Sequence, residues 1–191
     1  MLLAGRLVLL GPVGQAMHWA YAMLQPQASV LIDLETTGLD SCARIVEVAV
    51  VNTHDGSVAL DTLLDPGVRI PPAATAVHRI TDAMVTALPG WDAVLPQVLA
   101  VTRGRKALSY NADFERRLIA QHSRFLGLDA AQLKSEETWG CVMKQRSAWL
   151  GTTSWRRLSG GHRALGDCLA ALDVLKAMTK GRGFEVSEGG S

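Results

Sequence analysis

Val30-Leu31-Ile32-Asp33-Leu34-Glu35-Thr36-Thr37-Gly38 is an apolar run that ends in two carboxylates two residues apart. Side chains alternate between the two faces of a strand, so Asp33 and Glu35 point the same way. Like charges held this close repel each other, and folding favours such a pair only with a compensating cation or proton. A divalent metal is the simplest compensation, so the run predicts a buried strand that carries half of a metal site.

The rest of the chain is that of an ordinary globular protein. It has 191 residues, 48% apolar and 19% charged, enough for one domain with a sizeable core and too apolar for a disordered chain. The formal net charge of +1 excludes a binder that relies on bulk positive charge, so any nucleic acid would be held by metals and a local patch. Cys42, Cys141 and Cys168 are scattered and without zinc spacing, which predicts free thiols and a cytoplasmic chain. No segment reaches the eighteen or so apolar residues of a membrane span, and Arg6 interrupts the apolar start, so neither an anchor nor a signal peptide is expected.

Periodicity divides the chain into an N-terminal arm (1–28), a catalytic-sized domain (29–180) and a Gly/Ser-rich tail (181–191) expected to be disordered. The arm reads as a frayed strand and a short helix over 12–24. Strands are expected at 29–34, 44–52 and 57–65, the last two joined by the His54-Asp55-Gly56 turn. A fourth strand is expected at 106–109. Helices are expected at 92–102, 114–126, 138–150 and 162–179, the last with Leu165, Leu169, Leu172 and Leu175 at helical spacing. This is an α/β pattern: a mixed central sheet, three antiparallel strands plus parallel strands, flanked by helices.

Asp113 follows the fourth strand directly, and His162 precedes Asp167 by five residues on a glycine-broken loop. Four carboxylates, Asp33, Glu35, Asp113 and Asp167, offer the all-oxygen ligand set that magnesium or manganese requires. Two such ions about 4 Å apart can clamp the attacking and leaving oxygens of a phosphoryl displacement. His162 would then take the proton of the attacking water.

Ile32-Asp33-Leu34-Glu35-Thr36-Thr37-Gly38-Leu39, Val77-His78-Arg79-Ile80-Thr81, Ser109-Tyr110-Asn111-Ala112-Asp113-Phe114 and His162-Arg163-Ala164-Leu165-Gly166-Asp167-Cys168 together resemble the successive motifs of the DnaQ-like, or DEDDh, 3′–5′ exonucleases. The resemblance covers residues 29 to 179. It implies a ribonuclease-H-like fold, two Mg2+ ions (Mn2+ as a substitute), and hydrolysis of single-stranded ends to nucleoside 5′-monophosphates. DNA is the favoured substrate, in repair or proofreading. By match, Asp33, Glu35, Asp113 and Asp167 hold the metals and His162 is the base. Thr36 and Thr37 meet the terminal nucleotide through their backbone, Leu39 wedges against the last bases, and His78, Asn111 and Phe114 line the groove. The alternatives are an exoribonuclease acting on short RNA and a nucleic-acid-binding module that docks a DNA polymerase subunit. Oligomeric state is left open.

Only Ser159, Gly160 and Gly161 separate Leu158 from His162, where similar proteins carry a further helix and loop. The histidine loop is therefore expected to be less supported than in its relatives. Glu47, alone among the acids in a buried strand, matches no ligand role and reads as structural. His18, His54 and His122 read as surface residues, Trp139, Trp149 and Trp155 as packing, and Arg156, Arg157 and Arg163 as either a solvated face or a phosphate-steering patch.

Overall fold

The computed structural model describes residues 11–159 and 161–180. The expected frayed strand before residue 11 and the tail after 180 lie outside these residues. The first strand, β1, spans Ser29–Thr36, followed by β2, Ile45–Asn52, and β3, Val58–Leu63. The two short ones are β4, Lys106–Ser109, and β5, Trp139–Cys141. They form one five-stranded sheet in the order β3-β2-β1-β4-β5. β1–β2 and β2–β3 are antiparallel, and β1–β4 and β4–β5 parallel.

Among the described residues, seven α-helices surround the sheet: α1, Pro12–Met23; α2, Pro72–His78; α3, Asp82–Val85; α4, Trp91–Thr102; α5, Ala112–Phe125; α6, Val142–Leu150; and α7, Ala164–Met178. The period-2 alternation of β1 sorts them into two layers. Val30, Ile32 and Leu34 face a cluster with Trp91, Val94 and Val98 of α4 and Leu118 and Ile119 of α5. Leu31 faces the other way, toward Ala16 and Ala20 of α1, Val142 of α6, and Ala164, Cys168, Leu172 and Leu175 of α7. Asp33 and Glu35 share the parity of Leu31, so both carboxylates are aimed at α7. Each fully buried leucine on this face contributes about 1.5–3 kcal/mol through removal from water. The sheet and α7 are thereby held at a fixed spacing. β2 is buried at its first seven positions, as expected of a strand covered on both faces.

Several sequence expectations are corrected. The stretch expected as a helix at 138–150 begins instead as β5, because Trp139, Gly140 and Cys141 pair with Ala107, Leu108 and Ser109 of β4. The helix expected from His162 starts at Ala164, since His162 has a left-handed φ of 57° and Arg163 is extended. Phe125, at the end of α5, is 65% exposed, with the Arg44 guanidinium 3.6 Å above its ring. Leu169 is 41% exposed at the outer edge of α7, and Trp155 is 58% exposed on an irregular loop. His122 is not a surface residue: its Nδ1 accepts from the Ile45 N–H at 3.2 Å, and its ring stacks on Trp91. Burial pulls its pKa down to about 4, so it stays neutral in this role.

Candidate active site

Asp33 and Glu35 leave the carboxyl-terminal half of β1 where the β1–β2 register shifts, between Glu35 and Thr36. Such an irregularity bends a strand and re-aims its side chains. From the opposite layer, Asp167 enters one turn into α7. One carboxylate oxygen from each of Asp33, Glu35 and Asp167 lies within 4.8 Å of the other two. Two segments distant in sequence thus meet at one end of the sheet.

Asp113 does not join them. It is exposed, and its Oδ2 accepts from Lys144 Nζ at 2.7 Å, a hydrogen bond that lowers its pKa. The acid that α5 turns inward is Glu115, only 5% exposed. Two residues on a helix stand about 200° apart, so Asp113 and Glu115 cannot face the same way. Glu115 falls on the buried stripe of Ala112, Leu118, Ile119 and His122. That stripe was the available signal: a carboxylate at i−3 and i−4 from two core residues needs a partner. The first charged cause raising Asp33 is Glu115, ahead of Asp167 and Glu35. Among the described residues, Glu115 Oε2 is buried without a hydrogen-bond partner.

The electrostatics are those of a site built for a cation. Burial, then the neighbouring carboxylates, raises Asp33 well above the usual range. Burial raises Glu35 to about 8, with Asp167 and Glu47 adding to it and Arg163 opposing. Burial likewise raises Glu115 to about 8, although the Ser109 hydroxyl beside it pulls the other way. Asp167 is raised by burial and held back by His162, which stands close enough to act on it. Crowded, desolvated, all-oxygen donors with an orphaned buried oxygen among them fit a hard divalent ion.

This arrangement has a consequence for stability. Glu35 and Glu115 titrate near 8 when folded, against an ordinary value of 4.5. Between those limits the folded state holds more protons than the unfolded one, so metal-free stability falls as pH rises from about 5 to about 8. Thermal unfolding in chelator is expected to show that fall, and added magnesium to reverse most of it at the alkaline end. A metal-free midpoint that rises with pH over this window would contradict the assignment.

The remaining expected residues divide into walls and supports. Thr36 and Thr37 are buried, and their groups are used within the turn. Thr36 Oγ1 donates to the Gly38 carbonyl at 2.7 Å, the Thr37 N–H to the Arg44 carbonyl at 2.8 Å, and the Arg44 N–H to Thr37 Oγ1 at 2.9 Å. His78 is 2% exposed, and its Nδ1 accepts from the Ile80 N–H at 3.0 Å. It therefore braces a turn and lines no open surface. Leu39 is 76% exposed at the tip of the loop that follows β1. That loop is tied to α5: the Leu39 carbonyl accepts from Arg117, and Gln121 donates to the carbonyls of Asp40 and Ala43. Beneath it runs a groove of about 680 Å³ lined by Asn111, Phe114, Arg116, Arg117, Gln121 and Arg124. Arg117 lies over the Phe114 ring at 5.2 Å. Arginines interleaved with an aromatic ring suit a nucleic-acid strand, and Asp113 lines the same groove.

Comparison with known proteins agrees with this geometry. The exonuclease family model RNase_T matches residues 30–175. The chain is 33% identical over 172 residues to an uncharacterized exonuclease of Escherichia phage 186, covering 80% of this chain and 88% of that protein. It is 32% identical over 162 residues to Exodeoxyribonuclease 10 of Escherichia coli, covering 76% of this chain and 66% of that one. Among solved structures, Exonuclease X in complex with 5′ overhanging duplex DNA superposes with a TM-score of 0.56 at 30% identity, covering 78% of this chain and 91% of that one.

Proposed function

The chain belongs to the RNase_T family of exonucleases, DnaQ-like enzymes of ribonuclease-H-like fold, and on that premise we propose that it is a 3′–5′ exonuclease. It removes nucleoside 5′-monophosphates from single-stranded ends, with DNA favoured, in repair or proofreading. The observation that carries this reading is the meeting of one carboxylate oxygen each from Asp33, Glu35 and Asp167 within 4.8 Å of one another.

Asp33, Glu35, Asp167 and Glu115 would hold two divalent cations, Mg2+ in the working enzyme. When bound, these ions neutralise the phosphate and make water acidic enough to ionise near neutral pH. His162, exposed at the mouth of the site just before α7, accepts the proton of the attacking water. Leu39 abuts the terminal base, and Asn111 and Phe114 receive the terminal nucleotide. Arg116 and Arg124 meet the phosphates behind it, which positions the strand without reading its sequence.

Residues 29–180 form the catalytic domain in this reading, and 1–28 an arm whose helix α1 packs on it. Among the described residues no helix is long and apolar enough to cross a membrane, and all three cysteines are free thiols, as a cytoplasmic enzyme would have.

The test is an assay of the chain alone on DNA and RNA strands of equal sequence, labelled at either end, with magnesium or chelator. Mononucleotides released first from the 3′ end of DNA, only with magnesium, are the expected result. Preferential digestion of RNA would favour the exoribonuclease, and activity only on addition of a polymerase subunit the docking module. Release that continues in chelator would overturn the mechanism.

A further inference from the structure

Glu47 of β2 is 2% exposed and stands directly opposite Glu35 in the β1–β2 register. Like charges directly opposite across a sheet are destabilising. Ala49 and Val51, of the same parity on β2, fill the space under α7 with apolar groups. A carboxylate at 47 is costly by comparison, because a buried ion pair seldom returns the desolvation of its members. Stability alone therefore does not explain this residue.

All of its bonds go to one point in the chain. Glu47 Oε1 accepts from Arg163 Nε at 3.0 Å and from Nη2 at 2.5 Å. Oε2 accepts from Arg163 Nε at 3.1 Å and from the Ala164 N–H at 3.0 Å. Ala164 is the first residue of α7, and the helix has no side-chain cap from its own N-terminal residue. Glu47 thus caps α7 from another strand while gripping the residue next to His162. Gly161 and His162 both have left-handed φ values, 84° and 57°. Among the described residues, the loop upstream is held by Leu158, packed on the apolar cluster under α7, and by the Arg157 carbonyl, which accepts from Arg146 at 3.5 Å.

We propose that Glu47 is a positioning residue for His162: its clamp on Arg163 and Ala164 fixes where the loop becomes helix and thereby holds the imidazole against the acidic cluster. The clamp supplies the support that the shortened segment before His162 would otherwise lack. It also engages Arg163, which leaves Arg156 and Arg157 as the solvated arginines of this region. The proposal rests on the exonuclease reading, in which His162 is the base.

The test compares Glu47→Gln, Arg163→Gln, Arg163→Lys and the double Glu47→Gln/Arg163→Gln variant in the full chain. Glutamine at 47 keeps an acceptor for the Ala164 N–H and removes the charge. Arg163→Gln leaves the buried Glu47 without its cation, whereas the double variant and Arg163→Lys leave no unpaired buried charge, so these two keep the test open if a glutamine single fails to fold. Both glutamine singles are expected to lower kcat about tenfold to a hundredfold with KM for the strand unchanged, as a displaced catalytic group would. The double variant should lose no more than either single, and Arg163→Lys should recover part of the rate. Amide hydrogen exchange, measured without metal or substrate, should quicken at residues 161–165 and stay unchanged in β1 and α4. A folded Arg163→Gln with unchanged kcat overturns the proposal, as does exchange that quickens everywhere or not at all. If the unaltered chain has no nuclease activity, the exonuclease reading fails, and the exchange pattern still decides whether the clamp holds the loop.

Discussion

Asp33→Ala is expected to reduce magnesium-dependent release of mononucleotides from a 3′-labelled strand to the level seen in chelator. Asp33 is the member of the cluster most crowded by its neighbours: Glu115, Asp167, Glu35 and Glu47 all act to raise its pKa. The same crowding makes it the carboxylate whose removal most weakens the hold on divalent ions. Cation charge at the phosphate is worth several kcal/mol of transition-state stabilisation, and each 1.36 kcal/mol is a factor of ten in rate. The folding consequence has the opposite sign. A desolvated, repelled carboxylate destabilises the metal-free fold, so the variant should unfold no lower than the parent in chelator, and magnesium should stabilise it far less. Activity retained by a homogeneous preparation of Asp33→Ala would remove Asp33 from the catalytic site. A fall in metal-free stability would assign the residue to the fold instead.

Glu115→Gln is expected to cost roughly a hundredfold or more in kcat/KM, and Asp113→Asn less than about threefold. The two residues are adjacent alternatives for the same role, and the structure separates them by direction. Asp113 points to solvent and Lys144, and a surface pair of this kind is worth about 0–1 kcal/mol. Glu115 is enclosed, with its Oε2 lacking a hydrogen-bond partner among the described residues. Glutamine at 115 preserves volume and removes the charge, so the measurement isolates the electrostatic contribution to metal binding. Titration of magnesium by calorimetry should show the weakened affinity directly in Glu115→Gln and an unchanged one in Asp113→Asn. The reverse pattern would return the fourth carboxylate to position 113.

The strand run at 29–36 was legible because burial and alternation speak at short range: an apolar strand with two same-side acids needs no distant partner to be recognised. Asp167 was legible for the same reason, as a carboxylate near an apolar helical face. The third segment misled because Asn111-Ala112-Asp113 offers an acid at a helix start, where an acid is welcome for reasons of its own. Glu115 looks like one more polar residue of a charged helix until its stripe is drawn. The short strand β5 was absorbed into a helix because three residues carry too little pattern to compete with the nine that follow. Motifs alone point to Leu39, Asn111 and Phe114, and the groove that Asn111 and Phe114 line forms where the loop after β1 is tied to α5.

By itself the sequence determined the mixed α/β order, the strand bearing Asp33 and Glu35, and the helix bearing Asp167 beside His162, since periodicity and local chemistry are properties of neighbouring residues. Which acid of α5 faces inward, and which residues Glu47 grips, only the tertiary structure decided. A helix face acquires its meaning from the layer it packs against, and a buried charge is explained by a partner that here lies 116 residues along the chain. The carboxylate pair at the end of β1 thus announces a cation, and the packing of α5 and α7 against the sheet determines which other side chains share it.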